Sequence, residues 1–211
     1  MELRVEKNIV PVLGALVFAL AVCGLAYYGF MYYKGTLSAK AHEVFMQKYA
    51  EYEKLSADNK VPSQELIDSV SRGYQEYKNS AYAGFFLALQ AELQEAQGNK
   101  PEALNSMTQA VGMMSSVDPV LYYTYSTKLA LMQLDASEPS IQTKGRQSLE
   151  KLALNAKNPV QDMEWFYMGY QALLDKDDNG VQTAWGRLFD AQGNPLSMWG
   201  MRAQGLRNYQ A

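Results

Sequence analysis

The sequence is poor in the side chains from which catalytic and metal sites are usually built. Its 211 residues contain one cysteine, Cys23, and one histidine, His42. Without a second cysteine the chain cannot form an internal disulfide, and His42 has no second histidine with which to bind zinc. It also lacks a glycine-rich phosphate loop and a recognisable pair of catalytic carboxylates. We therefore predict a non-enzymatic protein with no catalytic residue, no metal site and no cofactor.

Basic charge and strand patterns are scarce as well. The chain has 19 Lys and Arg against 22 Asp and Glu, which gives a net charge of −3. Nucleic-acid binding needs a basic surface, so we expect no nucleic-acid partner. Runs of alternating β-branched residues between tight turns are also missing, whereas apolar residues recur at three- and four-residue spacing. The sequence therefore predicts an all-α fold.

One apolar segment is unusually long. Residues 9–33 read IVPVLGALVFALAVCGLAYYGFMYY, with no charge between Lys7 and Lys34. As a helix rising about 1.5 Å per residue, this segment reaches about 37 Å, which exceeds the bilayer hydrocarbon core of about 30 Å. Tyrosines crowd its end, where amphipathic rings favour the membrane–water interface. We predict a short tail (1–8) followed by a transmembrane anchor (9–33) that contacts lipid.

Two alternatives to an uncleaved anchor exist. A cleaved secretory signal has a shorter apolar region and a small-x-small cleavage site, which residues 9–33 lack. A lipoprotein signal is closer, because residues 20–24 (LAVCG) approximate a lipobox around Cys23. Val22 departs from the small residue expected there. Lysines and arginines are nearly balanced on the two sides of the segment, so charge alone does not orient it.

The soluble part reads as a series of helices. We predict helices over 36–55, 62–78, 81–96, 101–114, 120–134, 141–154, 160–174, 181–191 and 195–208. Pro119, Pro159 and Pro195 each stand where a new helix should begin, 40 and 36 residues apart. A repeat of two helices at this period is typical of a helical solenoid. An irregular helical bundle is the alternative.

Small residues favour tetratricopeptide (TPR) repeats, in which they let paired helices approach closely. The first and third units have alanines at the same mutual spacing: Ala91, Ala103 and Ala110, then Ala172, Ala184 and Ala191. The middle unit matches only partly, and most other TPR signature residues are missing. Gly98 should end its helix in a left-handed conformation. We predict linking helices over 34–79 and a degenerate TPR-like domain over 80–211.

The order of an anchor, two linking helices and three degenerate repeats resembles the bacterial YfgM-like family. The likeness also involves residues 82–91 (YAGFFLALQA), 98–104 (GNKPEAL) and 180–185 (GVQTAW). It implies an inner-membrane protein with its C-terminal domain in the periplasm. It further implies an accessory of the SecYEG translocon that works beside a PpiD-like anchored chaperone. A structural subunit that braces another membrane complex is the rival function.

The first helix of each TPR unit lines a concave face where a partner segment can bind. The alanine register places nine residues on that face, as the predicted protein-binding site: Phe85, Ala88, Glu92, Thr124, Thr127, Leu131, Phe166, Gly169 and Leu173.

One acidic loop resembles the start of a calcium-binding EF-hand. Asp175, Asp177, Asn179 and Gly180 have the right spacing, but Gly186 stands where the bidentate glutamate is required. We therefore predict a solvated turn rather than a metal site.

Overall fold

A computed structural model describes residues 6–115 and 117–208, with the side chains of all of these except 6–28, 30 and 208. Over this part of the chain the fold is all α-helical, which confirms the all-α part of the predicted fold class. A short 3-10 turn spans Gly186–Leu188, and a single β-bridge joins Phe189 to Pro195. The helices are α1 (Glu6–Ala57), α2 (Gln64–Tyr77), α3 (Ala83–Ala96), α4 (Lys100–Met114), α5 (Pro119–Leu134), α6 (Pro139–Ala153), α7 (Gln161–Leu174), α8 (Asp178–Trp185) and α9 (Met198–Asn208).

The predicted anchor falls on α1. Within the described portion of the molecule, no helix has both the length and the apolar character that crossing a bilayer requires. Most side chains of residues 9–33 lie outside that portion. The transmembrane span therefore stays a prediction.

The helix ends follow from local sequence chemistry. Ser63, Asp118 and Asp177 cap α2, α5 and α8, each accepting a hydrogen bond from the backbone N–H three residues later. Gly98 follows α3 with φ of +83°, which confirms the predicted left-handed glycine. As a result, α2 to α7 begin and end within two residues of their predicted bounds.

The helices form successive antiparallel pairs. Each helix from α1 to α7 packs on the next one along the chain. The odd-numbered helices also contact one another, as α1 does with α3 and α7 with α9. We call α1, α3, α5, α7 and α9 the first-helix layer, and α2, α4, α6 and α8 the second-helix layer.

Small residues bring paired helices close together in the first predicted repeat. Ala91, Ala103 and Ala110 are fully buried between α3 and α4, which confirms the packing role predicted for them. In the third repeat only Ala184 is buried, while Ala172 is half-buried and Ala191 is exposed. The alanine register therefore holds for one repeat and only partly for the other.

The last predicted helix pair is shorter than the sequence indicated. We predicted a helix over 181–191, but α8 ends at Trp185. Asp190 accepts hydrogen bonds from the backbone N–H groups of Gln192 and Asn194, and Gly193 has φ of +82°. These contacts favour a tight turn over helix. For the same reason α9 begins at Met198 rather than at Pro195.

Residues 34–79, predicted as linking helices, pack as a further pair on the repeats. Ala41 and Val70 are fully buried in a cluster that also contains Phe86 of α3. The Phe86 ring occupies the space where a side chain at Gly73 would lie. The stack therefore begins with α1, on the N-terminal side of the first predicted repeat.

Candidate functional site

A line of aromatic side chains runs across the first-helix layer from α1 to α5. Phe45, Tyr49 and Tyr52 follow one another along α1, and Phe45 contacts Phe85 of α3, with ring centroids 5.9 Å apart. Phe85 in turn meets Tyr125 of α5 edge to face at 6.2 Å. All five are half-buried. This set, which we call the aromatic row, is partly exposed and packs on the buried core clusters beneath it.

An ion pair borders the aromatic row. Lys128 Nζ of α5 donates to Glu92 Oε1 of α3, and both side chains remain partly exposed, at 37% and 20%. Burial, followed by the charge of Glu92 and by Tyr49, raises the pKa of Tyr125 to about 12. Burial and the charge of Glu92 also raise the pKa of Tyr52. The face thus consists mainly of aromatic rings, with one pair of opposite charges at its border.

A second polar contact joins α5 to α7, but it is buried. Thr127 Oγ1 donates to Glu164 Oε1 at 2.6 Å, and Glu164 is fully buried. In the described part of the chain no group hydrogen-bonds the other carboxylate oxygen, Glu164 Oε2. Burial raises the pKa of Glu164, and the hydrogen bond from Thr127 opposes this shift only in part. The contact fixes α7 against α5 and is not available to a partner.

The residues predicted on α3 divide between the surface and the core. Phe85 and Glu92 lie on the open face, within the aromatic row and its bordering ion pair. Ala88 is buried at 1% exposure beneath them, in a cluster with Met107 of α4. Two of the three predicted positions can therefore contact a partner directly.

On α5, Thr124 and Leu131 are half-buried, whereas Thr127 is buried against Glu164.

On α7, Phe166 and Gly169 are buried and Leu173 is half-buried. Trp185 stacks near Phe166, donates its indole N–H to the Phe166 carbonyl at 2.9 Å, and lies against the backbone of Gly169. The structure thus brings together Phe85 and Glu92 from the predicted set, and it places Thr127, Phe166 and Gly169 between helices. Their proposed role in partner binding stays a prediction.

The predicted site contains no residue of α1, and on α5 it omits Tyr125 and Lys128. Phe45, Tyr49 and Tyr52 lie in the segment predicted as linking helices, 34–79. The spacing of Glu92 and Lys128, 36 residues, is close to the repeat period and was a usable signal.

The acidic loop between α7 and α8 uses its carboxylates within the fold. Asp175 Oδ2 accepts from Arg146 Nη1 of α6 at 2.6 Å, and this contact lowers the pKa of Asp175. Asp177 caps α8 by accepting from the Gly180 N–H. Across the described residues, no group of three His, Cys, Asp or Glu side chains is placed to hold a metal ion.

Two grooves open on the second-helix layer. A cavity of about 380 Å³ lies between α6 and α8, with Leu149, Trp165 and Met168 among its lining residues and the Arg146–Asp175 pair at its edge. A second cavity of about 290 Å³ lies between α4 and α6, and Ser126, Gln133 and Lys144 are among the residues that line it. The helices of this layer are therefore separated where those of the first-helix layer touch.

Comparison with known proteins gave no match among family models, curated proteins or solved structures.

Proposed function

We propose that this chain is a single-pass, membrane-anchored scaffold that binds other proteins through the first-helix layer of a TPR-like solenoid. The aromatic row carries the proposal. Half-buried aromatic rings supply a large apolar contact area at low conformational cost, and they are enriched where proteins bind one another. An amphipathic or extended segment of a partner would lie across α1, α3 and α5.

Regular contacts between successive helix pairs support the TPR-like part of the proposal. The ion pair Lys100–Asp135 spans 35 residues, the pair Glu92–Lys128 spans 36, and the hydrogen bond Thr127–Glu164 spans 37. Each contact links one pair of helices to the next. A separation that stays close to 34 residues is what stacked TPR units require.

The cellular role comes from the resemblance to the YfgM-like family. From it we infer that the anchor, residues 9–33, lies in the bacterial inner membrane and the domain in the periplasm. The partners are then SecYEG and a PpiD-like anchored chaperone, and the activity is that of an accessory to protein export. A scaffold of this kind needs no catalytic group, cofactor or metal.

Cross-linking in native membranes, mild solubilisation and mass spectrometry test this role. We expect translocon subunits and an anchored periplasmic chaperone to be recovered with the tagged protein, in amounts that vary with export load. Recovery of a fixed set of other subunits at constant ratio would instead favour a brace within a different complex. Recovery of no protein partner at all would contradict the scaffold itself.

A further inference from the structure

The predicted membrane span and the helical domain are parts of one continuous helix. α1 runs from Glu6 to Ala57, so no loop separates residue 33, where the span should end, from the first buried residue of the domain, Ala41. A helix without a break fixes the distance between the two. The height of the domain above a bilayer is therefore set by where α1 meets the other helices.

α1 meets them within two turns of the end of the span. The Ala81 N–H donates to Ser38 Oγ at 3.4 Å, and Lys34, Lys78 and Val117 line one shared cavity. From residue 33 to residue 38 the helix rises about 7 Å. The headgroup layer on each side of the hydrocarbon core is about 5–7 Å deep. Loops at this level lie in or against that layer.

Successive helices alternate in direction, so the loops at this end connect α2 to α3 (78–82), α4 to α5 (115 and 117–118), α6 to α7 (154–160) and α8 to α9 (186–197). In the last of them Arg187 lies over the Trp165 ring, near the start of α7. We call these the proximal loops. Asn155 Nδ2 donates to the Tyr123 hydroxyl at 2.9 Å, which places the third of them beside the start of α5. The distal loops are 58–63, 97–99, 135–138 and 175–177.

The proximal end exposes apolar side chains at its tips. Val117 and Val120 are each 46% exposed, and Leu154 is 60% exposed. On α1, Tyr32 and Tyr33 are exposed at 70% and 61% just before the domain. Exposure alone does not separate the two ends, because Val61 in a distal loop is 69% exposed.

The charge of the loops does distinguish the proximal end from the distal end. The proximal loops carry three cations, Lys78, Lys157 and Arg187, and two aspartates, Asp118 and Asp190, whose carboxylates accept backbone N–H hydrogen bonds within the fold. The distal loops carry five acidic residues against two lysines. Lysines next to an anionic membrane surface are attracted to it by about 1 kcal/mol each, whereas carboxylates are repelled. The end that α1 enters is thus the end suited to lipid headgroups.

We propose that the proximal loops dock on the bilayer, with Val117, Val120 and Leu154 in the headgroup layer and Lys78 and Lys157 at anionic headgroups. This inference rests on the proposed anchor. It gives the domain a fixed pose, in which the first-helix layer stands upright on the membrane beside a partner in the same bilayer.

Site-specific fluorescence in vesicles tests the pose with the full chain. In a Cys23→Ala background, Val117→Cys, Leu154→Cys and the distal control Val61→Cys are each labelled with an environment-sensitive dye. The proteins are reconstituted alone in phosphatidylcholine vesicles with and without phosphatidylglycerol. Headgroup nitroxide lipids then report which labels touch the membrane surface. The unmodified sequence, labelled at Cys23, reports the anchor through acyl-chain nitroxide lipids.

We expect strong quenching at residues 117 and 154, little at residue 61, and acyl-chain quenching at Cys23. Lys78→Gln and Lys157→Gln should each lower the docked-to-undocked ratio roughly fivefold in the anionic vesicles, which corresponds to about 1 kcal/mol per lysine. Without phosphatidylglycerol these substitutions should have little effect.

The possible failures are distinguishable. If Cys23 is quenched while residues 117 and 154 behave like residue 61, the docking proposal is wrong and the anchor stands. The proximal end would then be expected to bind a protein surface instead of lipid. If Cys23 is not quenched by acyl-chain nitroxides, the anchor fails and the docking fails with it. Equal quenching at all three loop positions would also contradict a defined pose.

Discussion

At the scale of single residues, Glu164 is the side chain whose surroundings least suit its charge. It is fully buried between α5 and α7, and one of its oxygens accepts from Thr127. A carboxylate in such a place is held in its neutral form more easily than in water, so its pKa is raised. Glu164 therefore ties the two helix pairs together at a cost that depends on pH.

Glu164→Gln should make the free energy of unfolding less dependent on pH. The folded chain holds the Glu164 proton more tightly than the unfolded chain does. The free energy of unfolding of the natural protein therefore falls as pH rises from the unfolded carboxyl pKa, about 4.3, through the raised folded value. A glutamine keeps an oxygen for Thr127 and has no charge to lose. Urea unfolding between about pH 4 and pH 8 should show a variant-minus-natural difference that grows with pH.

Glu150→Gln, which removes an exposed carboxylate of α6, controls for the loss of one negative charge. If the Glu164→Gln and natural curves stay parallel over this pH range, the buried carboxylate does not titrate as we infer.

Gly169 is a second position where the addition of one carbon atom should change stability. A Cβ at Gly169 would overlap the indole of Trp185, which is fully buried. Gly169→Ala should lower the free energy of unfolding by about 1–3 kcal/mol, the usual range for overpacking a core. Gly112→Ala is the matched control, because a Cβ in that helix meets no atom within 4 Å. It should raise stability by about 0.5–1 kcal/mol, since glycine weakens a helix interior. Equal effects at both sites would show that α7 and α8 can move apart.

At the scale of helices, polar contacts fix one pair against the next. Lys128 and Glu92 lie 37% and 20% exposed between α5 and α3, and Lys100 and Asp135 join α4 to the turn after α5. The hydrophobic driving force has little directional preference. We therefore expect these polar contacts to help set the register of the stack, together with the packing of the apolar side chains.

A double-mutant cycle with Glu92→Gln and Lys128→Met measures this coupling. Because the pair is partly buried, we expect a coupling free energy of about 0.5–1 kcal/mol in urea unfolding, smaller at high salt. The control cycle uses Asp58 and Lys60, a pair within one turn whose side chains are 46% and 64% exposed. It should give a value close to zero. A Glu92–Lys128 coupling no larger than the control would remove this contact as a determinant of register.

The helices themselves were predictable because their signals are local. Ser63 and Asp118 at N-caps, and Gly98 at a C-cap, act on backbone groups within a few residues. The end of α8 was not predicted from the sequence. The turn at 190–194 is stabilised by several hydrogen bonds to Asp190, and no single helix-breaking residue marks it.

In the whole molecule, sequence spacing predicted that the helices are paired. It did not predict which side chains lie in the contact between one pair and the next. Ala91 and Ala103 could be assigned to a helix–helix contact from their repeat spacing. Thr127 could not be placed against Glu164, because that contact depends on the angle between helix pairs, which periodicity does not encode. For the same reason the sequence did not predict that α1 packs in the stack and contributes to the aromatic row.

We propose that the first-helix layer, and not the second-helix layer, binds a partner protein. The most direct measurement places a photo-activated cross-linking residue at Tyr49 or Lys128 in the first-helix layer, and at the exposed Gln109 of α4 as the matched control. Cross-links are then formed in intact membranes and identified by mass spectrometry. We predict partner adducts from Tyr49 and Lys128 and none from Gln109. Adducts from Gln109 alone, or equally from all three positions, would contradict the assignment of the binding face.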